Sequence, residues 1–124
     1  MKYLCLVYGE EQAIQSVNDQ HCLEYDASIR ASGHCLSSEA LEPVATATTV
    51  RVRNGKVSIT DGPFAETKEQ LAGFYMIEAR DLNEAIQLAA RIPPAAVGSI
   101  EVRPIRPIRE TVRAQQLGET HGIR

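Results

Sequence analysis

At 124 residues the chain has the size of one domain, large enough for one real core. Its net charge of −3 sets up no field that recruits nucleic acid or anionic lipid, and the lack of Trp argues against a base-stacking surface. No apolar run nears the roughly 20 residues that span a membrane, MKYLCLVYGE turns polar too soon for a signal peptide, and three cysteines (Cys5, Cys22, Cys35) suit a reduced cytoplasmic protein better than a disulfide framework.

Residues 2 to 8 are apolar on both faces of a strand, Tyr3, Cys5 and Val7 on one side and Leu4, Leu6 and Tyr8 on the other. Such a strand sits centrally in a sheet covered twice. Residues 17 to 32 then form an amphipathic helix, with Ser16 or Asn18 able to cap it, Cys22, Tyr25 and Ile29 on its stripe, and Gly33 closing it. Residues 34 to 42 are short and extended. Residues 46 to 53 alternate, Asn54-Gly55 tolerates the positive φ of a type I′ turn, and Val57 and Ile59 alternate on the return strand.

Residues 73 to 79 predict a further strand apolar on both faces. Asp81 with Glu84 is a capping-box pair that opens a second helix, with Ala85, Ile86, Ala89 and Ile92 as its buried stripe and Pro93-Pro94 as its stop. Residues 99 to 103 are the last strand. The order β-α-β-hairpin-β-α-β predicts an α+β ferredoxin-like sandwich over residues 1–105, with both helices on one sheet face. Residues 106–124 are expected to be a C-terminal extension, partly disordered or an arm onto a partner subunit. The open sheet face needs a cover, and a second copy packed sheet against sheet makes a homodimer the expectation.

The run DGPFAETKEQLAGFY from Asp61, with the Asn54-Gly55 hairpin before it and Glu101-Val102-Arg103-Pro104 after it, resembles the DGPF branch of the YCII-related family. The resemblance covers about residues 1 to 105. It implies a ferredoxin-like dimeric α/β barrel, and an association with extracytoplasmic-function sigma factors seen among some relatives. The biochemical role of that family is unassigned. A histidine on the first helix and an aspartate after the second are a proposed catalytic pair of the YCII branch. Their places fall here on Cys22 and Ile92, with His21 one residue off and turned by about 100° around the helix.

Two readings compete for the DGPF segment. In one, Asp61, Glu66 and Lys68 line a pocket at the barrel mouth and supply an acid or base, with Phe64, Tyr75 and Arg103 contacting a ligand. In the other, Asp61 satisfies the turn, Phe64 plugs the core, Glu66 and Lys68 pair with each other or with Arg51, and Arg103 pairs with Glu66, Glu69 or Glu78. A metal held by His21-Cys22 and His34-Cys35 is disfavoured, because thirteen residues of helix separate the pairs by roughly 20 Å. Cys5 and Cys22 are expected as core rather than as nucleophiles, and Arg51, Arg53 and Lys56 as a solvated face rather than a nucleic-acid site.

The function expected is therefore a small-molecule-binding or regulatory module, with its ligand or a partner protein between the sheet and the DGPF loop, and with no cofactor, metal or membrane. The alternative is a cofactor-free isomerase, dehalogenase or monooxygenase acting on a small organic acid, an analogy at the level of the fold.

Overall fold

The computed structural model describes residues 1–118. In chain order it runs β1 (Lys2–Gly9), α1 (Glu11–Gln15), α2 (Asp19–Ala31), β2 (Cys35–Ala40), β3 (Thr48–Arg53), β4 (Lys56–Asp61), β5 (Gln70–Glu78), α3 (Leu82–Ala90), β6 (Ser99–Pro104) and α4 (Ile108–Gln116). Four strands form an antiparallel sheet in the order β2-β5-β1-β6, while β3 and β4 pair only with each other. This α+β arrangement is compatible with a ferredoxin-like sandwich.

Local chemistry accounts for the element ends. The Asn18 side chain accepts from the Gln20 N–H at 2.7 Å and starts α2. Asp81 accepts from the Glu84 N–H at 2.9 Å, and Glu84 in turn accepts from the Arg80 N–H at 2.7 Å, so two orphan donors are met at the head of α3. Asn54 and Gly55 both hold positive φ, 53° and 75°, as the hairpin turn requires.

The core lies on one face of the sheet. Tyr3, Cys5 and Val7 of β1 and Ile77 of β5 pack there against Ile29 of α2, Ala85, Leu88 and Ala89 of α3, and Ile92. Strand alternation sends Leu4 and Leu6 to the opposite face, where they are only half-buried. The second cover predicted for β1 is thus not supplied by the described residues. On α3 the buried position is Leu88 rather than Ile86, which is 49% exposed. Residues 82, 85, 86 and 89 share a broad arc, and packing on the sheet selects the 85/88/89 side of it. Two helices were absent from the sequence expectation: the short α1, and α4, which lies within the extension expected to be partly disordered or an arm onto a partner subunit. None of the residues of α4 is buried. Residues 119 to 124 of that extension lie outside the described residues.

Candidate functional site

The site is built beneath α2. Asp19, Cys22, Asp26 and Arg30 recur at three- and four-residue intervals, so helical geometry lines them up along one side. That side overlooks β2 and β5, and the gap is a cavity of about 650 Å³. Val7, Ile14, Val17, Leu23 and Ala72 give it apolar walls, and Tyr75 stands on its floor. Gly73 lets β2 and β5 run close there: a Cβ at this position would come within 2.7 Å of the Glu39 carbonyl oxygen.

Three polar groups converge in this cavity. The Ser38 hydroxyl donates to Asp26 Oδ1 at 2.6 Å, Arg30 Nε donates to Asp26 Oδ2 at 2.9 Å, and Arg30 Nη2 donates to Ser38 Oγ at 3.0 Å. The ring is closed, so each member fixes the other two. Arg30 Nη1 makes no hydrogen bond among the described residues. The Ser38 hydrogen bond, foremost, and then the Arg30 guanidinium hold the Asp26 carboxyl below the usual carboxylate range, against the opposing effect of burial.

Two further groups of the cavity, Tyr75 and Cys22, are held protonated by their surroundings. Burial raises the Tyr75 phenol to about 12, and burial, then the nearby Asp19, raises the Cys22 thiol. Tyr25 meets Tyr75 edge-on with centroids 5.6 Å apart. Its hydroxyl donates to the Leu88 carbonyl at 2.6 Å and ties α2 to α3, and burial raises this phenol as well. The lining thus brings together three carboxyl groups (Asp19, Asp26 and Glu39), the Arg30 guanidinium, the Ser38 hydroxyl, the Cys22 thiol and the Tyr75 phenol. That set suits holding a ligand better than moving a proton.

The residues singled out from the sequence are not gathered at one place. Tyr75 lines the α2 cavity. Phe64 lines a second cavity, of about 530 Å³, with Tyr8, Leu41, Val44, Pro63 and Leu71. Phe64 is 78% exposed and plugs no core in this chain. Asp61, Glu66 and Lys68 line neither cavity and are exposed. Lys68 faces Glu10 at 3.6 Å rather than Glu66. Arg103 lies 3.8 Å from Glu101, and its register opposite Leu4 puts it on the sheet face away from Tyr75, which is opposite Cys5. Glu66 and Lys68 of the β4–β5 connection stay exposed on a surface turn, where their charges remain hydrated. Cys5 is buried and its thiol is raised to about 11, chiefly by burial. Ile92, at the place of the family aspartate, is core. Among the described residues no cluster of three or more His, Cys, Asp or Glu could hold a metal ion, and no helix is long and apolar enough to cross a membrane.

Sequence reasoning passed over Asp26, Arg30 and Ser38. The i,i+4 spacing of Asp26 and Arg30 was a legible signal of a pair, but Ser38 enters only through the packing of β2 beside α2.

Comparison with known proteins adds a family. The model of the YCII-related domain matches residues 1–109. An uncharacterized protein of Rhizobium meliloti (strain 1021) is 48% identical over 67 residues, an alignment covering 52% of this chain and 54% of that relative. The match thus spans about half the length of the curated relative.

Proposed function

This chain belongs to the YCII-related domain family, and on that premise we propose that it is a binding protein that takes a small organic anion into the cavity beneath α2. The observation that carries this reading is the closed Asp26–Ser38–Arg30 ring at the wall of an otherwise largely apolar cavity. Ligand sites characteristically pair apolar walls with a few convergent polar groups. Arg30, held by Asp26 and Ser38, aims a pre-oriented guanidinium whose remaining donors suit a carboxylate. The apolar body of the ligand would lie against Ile14, Val17 and Tyr75. The lowered Asp26 carboxyl and the raised Cys22 thiol and Tyr75 phenol favour binding over acid–base catalysis. The ferredoxin-like sheet, whose second face the described residues leave uncovered, further supports assembly into a dimeric α/β barrel.

The test is a panel of butanoate, hexanoate, benzoate and phenylacetate, screened by thermal shift and confirmed by calorimetry. Binding by the wild type that drops at least about tenfold in Arg30→Gln, with unaltered circular dichroism, is the expected result. Equal binding by Arg30→Gln, or binding by no member of the panel, would count against an anion site at Arg30. Turnover of any panel member would replace the binding reading with an enzymatic one.

A further inference from the structure

We infer that the ligand taken beneath α2 is an ω-amino acid, its carboxylate on Arg30 and its terminal ammonium on Asp19. This rests on the anion site proposed at Arg30 and adds an opposite pole to it. Asp19 and Asp26 both line the cavity. They stand about two turns apart on α2, so they fall on the same side of the helix, roughly 10 Å from each other along its axis. Their side chains lean toward the helix N-terminus alike, which keeps that spacing between the carboxyl groups. Arg30 Nε lies 2.9 Å from Asp26 Oδ2, so the guanidinium is held at the Asp26 end. Asp19 is at the other end, close enough to Cys22 to act on its thiol, and its carboxylate has no hydrogen bond or ion pair among the described residues.

Electrostatics then selects between a plain anion and a zwitterion. Asp26 is balanced by Arg30, whereas Asp19 is not. A plain carboxylate brings a further negative charge into the cavity, and its methyl end displaces water from Asp19 without replacing the lost hydrogen bonds. An ammonium at that end replaces them with charge-assisted ones. The incoming molecule then carries no net charge, in a chain whose own net charge is −3. Glu39 does not serve as this second pole: it follows Ser38 on β2 and so belongs to the guanidinium end.

The spacing of the poles sets the length of the ligand. One hydrogen bond of about 2.8 Å at each end of a roughly 10 Å span leaves about 5 Å between the ligand carboxylate and its ammonium, the reach of about three or four methylene groups. Between the poles the lining is Cys22 on the helix side and Val7 and Ala72 on the sheet side, which suits a methylene chain. An α-amino acid carries both charges at one end and cannot reach Arg30 and Asp19 together.

Calorimetry on the full chain compares δ-aminopentanoate with hexanoate, in which a methyl stands for the ammonium, and γ-aminobutanoate with pentanoate. The amino acid of each pair is expected to bind at least about tenfold more tightly. Asp19→Asn should abolish that advantage while leaving hexanoate binding within about twofold, and Arg30→Gln should weaken both ligands. Asp19 also favours the first turn of α2 electrostatically, so affinity rather than Tm is the quantity read. α-Aminohexanoate, tested on the wild type with no substitution needed, should gain nothing over hexanoate. Arg30-dependent binding of hexanoate that δ-aminopentanoate fails to better overturns the ω-amino acid and leaves the anion site standing. An advantage that survives Asp19→Asn, or one shared by α-aminohexanoate, overturns the pole at Asp19. Binding of none of these ligands overturns the anion site and this inference together.

Discussion

Replacing Ser38 by alanine should cost about 1 to 1.5 kcal/mol of folding stability at pH 7. The hydroxyl is part-buried, donates to Asp26 at 2.6 Å, and accepts from Arg30 at 3.0 Å. A hydrogen bond to a charged group is worth about 1.5 to 3 kcal/mol, and the partial exposure of Asp26 and Arg30 places this one at or below the bottom of that range. For a domain of this size the loss corresponds to roughly 3 to 6 °C in Tm. The pH dependence follows from Asp26, whose carboxyl is held below its ordinary value of 3.8. A depressed folded pKa means the stabilisation is full above the unfolded value and is lost as pH falls through the folded one. Urea unfolding should therefore show a constant difference between wild type and Ser38→Ala from about pH 5 to 8, narrowing below about pH 4. In an Asp26→Asn background the serine substitution should cost markedly less. A cost of equal size in both backgrounds, or a difference that changes between pH 6 and 8, would refute the ring as the source of the effect.

Further outcomes are expected from the core, the caps and the cysteines. Ile77→Ala empties a fully buried site between β1 and α2 and should lose about 2 to 5 kcal/mol in denaturant unfolding. Tyr25→Phe leaves the Leu88 carbonyl without its 2.6 Å donor and should lose about 1 to 2 kcal/mol, measured in the same way. Asp81→Ala removes the cap of α3 and should lose about 1 kcal/mol, most of it recovered by Asp81→Ser. Iodoacetamide at pH 8, followed by peptide mass spectrometry, should label Cys22 and Cys35 well before Cys5, which is buried and has its thiol raised to about 11.

The elements of this chain were legible because their signals are local. The alternation from Tyr3 to Tyr8, the Asn54-Gly55 turn, the Asp81–Glu84 pair and the Pro93-Pro94 stop each act over a few residues, and each marks an element found in the fold. The face of α3 was less legible, since Ile86 and Leu88 are equally apolar and only contact with the sheet buries Leu88. The DGPF segment drew notice for its chemistry, yet its polar side chains point to water while Phe64 and Tyr75 line separate cavities. The candidate site went unseen because its ring joins a helix to a strand twelve residues further on.

Sequence by itself determined the order of the six strands with α2 and α3, the hairpin turn, the family and the apolar character of both faces of β1. These follow from period, turn chemistry and motif, which are properties of neighbours along the chain. Tertiary structure alone decided that β5 lies between β1 and β2, that Asp26, Arg30 and Ser38 meet, and that the described residues leave the hairpin and one sheet face uncovered. Those outcomes depend on which surfaces come together in space, and a one-dimensional pattern carries that information only as the need for a cover, not as the identity of the cover.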